Sequence, residues 1–146
     1  MDIRNIRQDY FETMLHARKG YSRLMDPICS QWDLTRNELD VLLFLYNNPE
    51  FDRASDIATH RGMAKSHVSL SVSTLEAKGL LRRHGDPEDR RTVHLELTGD
   101  APYIAEQGRG AQTAFFSKIY AGLTREEIAI WTRVVEKVRD NIANLD

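Results

Sequence analysis

Cys29 is the only cysteine in a chain of 146 residues. No intramolecular disulfide and no cysteine zinc cluster can be built from it, which suits a reducing compartment. Long apolar runs are missing as well. The longest, Val41–Tyr46, falls far short of the ~20 residues a membrane helix needs. The first residues, MDIRNIRQDYFE, mix both charge signs around no apolar signal core, so a cytoplasmic protein without a membrane partner is expected. A strong charge of one sign is absent too: the formal net charge is −2, which argues against a general polyanion binder. There is no glycine-rich phosphate loop and no nucleophile–base pair. His16, His60, His67, His84 and His94 do not pair at ligand spacing on one helix. The expectation is therefore no enzyme, no metal and no cofactor.

What charge there is lies unevenly. Residues 53–94 carry eight Lys/Arg against five Asp/Glu and four of the five histidines, whereas both flanking segments are net acidic. A basic middle between acidic ends suggests that one segment faces phosphates while the others serve another purpose.

Hydrophobic periodicity divides the chain into helices and one hairpin. Ile6, Tyr10, Ala17, Tyr21, Leu24 and Ile28 recur at three- to four-residue spacing and predict a helix over residues 3–28, with Pro27 ending or kinking it. Thr35 with Glu38 three residues later is a capping box. The helix it opens carries Leu39, Leu42, Leu43 and Tyr46 and stops at Asn47-Asn48-Pro49. A short helix over 54–61 is expected next, capped by Asp52 and closed by a left-handed Gly62. Another spans about 64–78, with Val68, Val72 and Leu75 inward. The period then changes to two: Thr92-Val93-His94-Leu95-Glu96-Leu97 reads as a half-buried strand, with residues 80–84 as its partner and Gly85-Asp86-Pro87-Glu88-Asp89 as the turn. Thr98 or Asp100 is expected to cap a helix reaching about Tyr120, with Gly108 and Gly110 marking a bend or a close helix contact. Thr124 and Glu127 repeat the capping box before a last helix with Ile128, Trp131, Val134, Val135, Val138 and Ile142 on one side. The fold class is mainly α with a small β-hairpin wing.

The helix, tight turn, helix and arginine-rich hairpin in the middle form the constellation that points to function. A helix of ~14 residues is ~21 Å long and fits a DNA major groove. Set on a wheel, Lys65–Lys78 turns Ser66, Leu70, Ser73 and Ala77 outward, flanked by His67, Ser69 and Thr74. This face has no acid, and small hydroxyl side chains can approach base edges and phosphates. Lys65 and the free N–H groups beside it suit a phosphate, and Leu70 suits a thymine methyl. In the hairpin, Arg82, Arg83, Arg90 and Arg91 fall within ten residues, with His84 between them. A basic tip of this kind enters minor grooves. Asp89, two residues before Arg91, is expected to orient that guanidinium through a charge-assisted bond. The helices over residues 3–28 and 124–142 carry apolar stripes wider than one small lobe can cover, which predicts a homodimer.

Asp56-Ile57-Ala58, Leu75-Glu76-Ala77-Lys78-Gly79-Leu80, Asp86-Pro87-Glu88-Asp89-Arg90-Arg91 and Leu95-Glu96-Leu97-Thr98, in that order, resemble the multiple-antibiotic-resistance regulator (MarR) family. Three positions depart from the family pattern: Ala64 where a hydroxyl residue often caps the recognition helix, Leu70 where an arginine often faces the bases, and Ala101 in place of a usual glycine. The resemblance implies one domain over 1–146. Helices at about 3–30 and 99–145 would dimerise, and a winged helix-turn-helix lobe at about 34–98 would bind DNA. It implies a homodimer on a pseudo-palindromic double-stranded operator, usually as a repressor, with Arg91 reaching the minor groove beside Asp89. It also implies release by a small aromatic or phenolic effector, for which His16 and Tyr46 are the candidates in this sequence. A winged-helix module that binds protein instead of DNA is the alternative. Cys29 reads as a structural thiol.

Overall fold

The computed structural model describes residues 3–145; residues 1, 2 and 146 of the expected domain lie outside them. Six helices and one hairpin follow in order: α1 (Ile3–Trp32), α2 (Arg36–Asn47), α3 (Ala54–Arg61), α4 (Lys65–Ala77), β1 (Leu81–Gly85), β2 (Val93–Leu97), α5 (Ala101–Ile119) and α6 (Arg125–Ala143). Two compact units divide the chain, one running to Thr113 and the other starting at Ala114.

In the first unit the core gathers where the sequence places its apolar sides. Leu39, Leu42 and Leu43 of α2, Ile57 of α3, Val68, Val72 and Leu75 of α4, and Ile104 of α5 are all almost fully buried, and Leu81 and Leu95 of the hairpin join them. The strands pair antiparallel with Arg83 opposite Leu95 and Gly85 opposite Val93. At the entrance to α2 the capping box forms as expected: the Glu38 N–H donates to Thr35 Oγ1 at 3.2 Å, and the Thr35 N–H donates to Glu38 Oε2 at 3.1 Å. Glu38 does more than cap. Its buried carboxylate also accepts Lys78 Nζ at 3.2 Å, and that ammonium donates to the Asp33 carbonyl as well. The start of α2 is thereby tied to the end of α4.

Several local expectations are corrected. Pro27 does not end the first helix, which runs on to Trp32. The ring lies on the exposed side, where the carbonyl that loses its donor can turn to water. On the other side, buried Met25 and Ile28 hold the helix to the core, and Trp32 Nε1 donates to Gln107 Oε1 at 2.8 Å. Asp52 does not cap α3. The Arg53 N–H bonds Asp56 Oδ2 at 3.1 Å instead, and Asp52 is engaged elsewhere. Of the two residues expected to open α5, Asp100 directly precedes the helix and its carbonyl accepts the Ile104 N–H at 3.0 Å, while the Thr98 hydroxyl donates to the Gly79 carbonyl at 3.1 Å. Of the two glycines of α5, Gly108 provides a close contact: a Cβ there would come within 2.7 Å of Leu43 Cδ2, whereas Gly110 faces open space.

The second unit holds the end of α5, a turn through Gly122, and α6. Phe116 meets Phe115 edge-on and stacks with Tyr120. Thr124 and Glu127 close the second capping box, with the Thr124 N–H 2.7 Å from Glu127 Oε2. Those bonds hold the Glu127 carboxyl below its ordinary value. No residue of α6 is buried in this chain. Trp131, Val135, Val138 and Ile142 form an exposed stripe.

Gly99 has φ +56, and a Cβ at this position would stand 2.6 Å from the Gly79 carbonyl oxygen, which is backbone and cannot swing aside. Gly99→Ala should therefore destabilise the fold by about 1–3 kcal/mol. Gly110→Ala, in open helix, should stabilise it by about 0.5–1 kcal/mol. Thermal unfolding of the two variants should move in opposite directions from the wild type.

Candidate nucleic-acid interface

One side of α4 is locked into the core, and this fixes what the other side presents. Val68, Val72 and Leu75 are at most 1% exposed, while Lys65, Ser66, His67, Ser69, Leu70 and Ser73 stand in solvent. Leu70 is 67% exposed. Thr74 is half-buried, and its hydroxyl turns back to donate to the Leu70 carbonyl at 3.0 Å. Ser71, one of the four serines that make this helix unusual, is buried, so its small size serves packing. Ala64 precedes α4 without a side-chain cap. The N–H groups of the first turn thus stay open beside Lys65, an arrangement that attracts anions.

Across the hairpin the arginines separate into two kinds. Arg82 pairs with Glu96 on the facing strand. Arg83 reaches back to α4: its guanidinium pairs with Glu76 and donates to Ser73 Oγ at 3.1 Å, and its N–H donates to Glu76 Oε1 at 3.3 Å. The brace joins the wing to the recognition-type helix, and it takes up part of the charge of Arg83 and the hydroxyl of Ser73. Arg90 and Arg91, at the tip, are exposed and take part in no ion pair among the described residues. The basic character of the wing is therefore concentrated at its end.

Asp89 orients the tip by a different route from the expected one. Its Oδ1 accepts the backbone N–H of Arg91 at 3.0 Å, and its Oδ2 accepts the Thr92 hydroxyl at 2.9 Å. These bonds hold its carboxyl below the ordinary value. Asp89 is thus engaged by the turn itself, and the Arg91 guanidinium makes no ion pair among the described residues. Asp86 plays the companion role: Oδ1 accepts the N–H groups of Glu88 at 2.8 Å and Asp89 at 3.0 Å. Its Oδ2 lies 2.8 Å from His94 Nε2. The bond with His94 first, and the two N–H groups after it, hold Asp86 at about 2.

In the sequence His94 is a polar position of the strand with no ligand partner at helical spacing. In the structure its Nδ1 lies 2.8 Å from Asp52 Oδ1, its Nε2 touches Asp86, and its ring stacks on His84 with centroids 5.5 Å apart. Asp86 and then Asp52 raise its pKa. Periodicity could show that His94 points away from Leu95. It could not show partners eight and 42 residues distant. Glu76 was missed for a similar reason, because its contact crosses from helix to strand.

The candidate effector residues are not brought together. Tyr46 donates its hydroxyl to Glu106 Oε2 at 2.7 Å, a bond that raises its pKa, and exposed His16 has no hydrogen bond, ion pair or ring contact with it. A different feature has small-molecule dimensions. A cleft of about 380 Å³ between α3, α4 and the hairpin has Val68, Val72 and Leu95 as its floor and Lys65 and Arg83 at its edge. Cys29 is partly buried, and desolvation pushes its thiol up, away from the reactive thiolate. No helix among the described residues is long and apolar enough to cross a membrane.

Comparison with known proteins adds to this geometry. A family model described as MarR family matches residues 32–92. The chain is 26% identical over 113 residues to the uncharacterized HTH-type transcriptional regulator YdgJ of Bacillus subtilis (strain 168), covering 77% of this chain and 68% of that protein. Its structure is similar to that of transcriptional regulator PA3341, with TM-score 0.78 and 25% identity over 92% of this chain and 99% of that one. It is also similar in fold to MepR of S. aureus, solved as a MepR–DNA complex, with TM-score 0.73 and 20% identity over 91% and 94% of the two chains.

If Asp89 shapes the tip through the backbone, Asp89→Ala should loosen residues 89–92 and leave the core untouched. Limited trypsin digestion should cut after Arg90 and Arg91 several-fold faster in the variant, at an unchanged melting temperature. Equal cutting rates would remove this role.

Proposed function

We propose that this chain is a transcription regulator of the MarR family, whose model matches residues 32–92, and that it binds a pseudo-palindromic double-stranded operator as a homodimer and acts there as a repressor. The observation that carries this reading is the pairing of two surfaces on one lobe. One is a helix presenting small polar side chains and an uncapped, positive N-terminus. The other is a hairpin whose two unpaired arginines stand at its tip. The helix has the size and chemistry for a major groove, with Ser66, His67, Ser69, Leu70 and Ser73 toward the bases and Lys65 at a phosphate. Arg90 and Arg91 have the reach and charge for the flanking minor groove. Arg83 acts chiefly as the brace between the two.

Two further supports concern assembly and release. Ile6, Tyr10, Phe11, Met14 and Leu15 on α1 are exposed, as is the Trp131–Ile142 stripe of α6, each apolar surface of a kind that monomers cover. A second copy is the natural cover, and it would set two winged lobes on successive major grooves about 34 Å apart. The cleft between α3, α4 and the hairpin joins an apolar floor to the ammonium of Lys65, which suits a small aromatic acid as the releasing effector.

Arg91→Ala should weaken salt-sensitive operator binding by about 1–3 kcal/mol without lowering the melting temperature. Fluorescence anisotropy on promoter DNA from the neighbourhood of its own gene measures this. Unchanged affinity would remove the wing from the interface. A protein partner that covers Ser66–Thr74, with no DNA retained at low salt, would favour the protein-binding alternative. Val138→Glu, which puts a charge into the α6 stripe, should turn a dimer into a monomer in sedimentation at micromolar concentration. A wild-type chain that already sediments as a monomer would contradict the assembly.

A further inference from the structure

We propose that His94 is the positioning residue of the wing: its imidazolium bridges Asp52, on the loop before α3, to Asp86, in the wing turn, so that the pose of the wing and the strength of DNA binding follow the protonation of this ring. The inference rests on the DNA-binding reading and gives it a regulatory input.

The geometry requires the charged ring. Both nitrogens lie 2.8 Å from carboxylate oxygens. Carboxylates only accept, and a neutral imidazole donates from one nitrogen alone. Uncharged, the ring keeps one contact and turns a lone pair toward the other carboxylate, so the bridge cannot be complete. Both anchors are otherwise held. The loop is fixed to β2 through the Leu95 N–H, which donates to the Asp52 carbonyl at 2.7 Å. The turn keeps its own shape through Asp86 Oδ1, which accepts the Glu88 and Asp89 N–H groups. Losing the proton thus costs neither strand pairing nor turn. It costs the tether between them, and the tip carrying Arg90 and Arg91 gains freedom relative to α4.

The surroundings set the sign. Asp52 and Asp86 face the ring directly, and His84 stacks on it from β1. Glu96, on the same side of β2, is occupied by Arg82. Asp89 and, beyond it, Arg53 form the outer charges. The two adjacent carboxylates hold the proton on His94 above the ordinary value of 6.5. A raised histidine contributes fully below its unfolded value and is lost as pH rises through the folded one. Asp86 stays ionised down to about 2. The bridge is therefore intact below the ordinary histidine value of 6.5 and opens as pH rises through the raised one.

The test uses the full chain between about pH 5 and about pH 9. The His94 ring resonance and the hydrogen-exchange protection of residues 86–92 are followed together. Anisotropy is measured on a duplex selected from a random pool at the acidic end. In the wild type, protection and affinity should each fall several-fold as the His94 resonance titrates. His94→Gln should be poorly protected, with a flat profile. Its affinity curve also serves as the blank for pH effects elsewhere on the duplex-binding surface. Asp52→Asn, outside the wing, should flatten the profile as well and serves if His94→Gln folds poorly. Protection in the wild type that ignores the His94 titration overturns the bridge. Protection that titrates while duplex affinity stays flat overturns its coupling to DNA. Titrating protection with no duplex retained at any pH upholds the bridge and overturns the DNA-binding reading instead.

Discussion

Everything on the outer face of the lobe depends on the burial of one side of α4. Val68, Val72 and Leu75 are packed against α2 and α3 so completely that rotating the helix would expose all three. At roughly 1.5–3 kcal/mol for each such side chain, that cost fixes the helix azimuth. The outward set of Ser66, Ser69, Leu70 and Ser73 is a consequence of it. The same burial holds the end of α4 where Lys78 meets Glu38, and it positions Glu76 to receive Arg83. The core thus sets the direction of the polar face, and the polar face needs no rigidity of its own.

A second layer of control is electrostatic and local. The wing is a short hairpin with little core, and its shape is maintained by carboxylates that accept backbone N–H groups. Asp86 accepts two N–H groups of the turn through Oδ1 and meets His94 through Oδ2, and Asp89 accepts the Arg91 N–H and the Thr92 hydroxyl. Acids inside a basic tip would ordinarily weaken its attraction for phosphate. Here they fold the tip and form no ion pair with Arg90 or Arg91.

Much of this was legible in the sequence because it depends on short-range pattern. The two capping boxes, the glycine stop after α3, the inward side of α4 and the period-two strand all follow from spacing within a dozen residues, and each is found where the spacing puts it. Errors came where a distant partner overrode a local rule. Pro27 ought to break a helix, but Met25, Ile28 and Trp32 have tertiary contacts that keep the helix going. Asp52 has the chemistry of a cap, but His94 claims it from 42 residues away. Asp89 stands at the right distance from Arg91 for an ion pair, but its oxygens accept the Arg91 backbone N–H and the Thr92 hydroxyl. The arginines of the hairpin look equivalent in a row of letters. Only the fold reveals that Glu96 and Glu76 occupy the first two and leave the last two free.

This division has a kinetic consequence. A protein that reads DNA with this surface offers few uncompensated cations to a random stretch of duplex, since Arg82 and Arg83 bring their own counter-charges. Grip on arbitrary sequence comes almost wholly from such cations. The molecule would therefore dwell briefly at wrong addresses and find its target by repeated three-dimensional encounters more than by sliding, with few copies sequestered on the bulk of the genome.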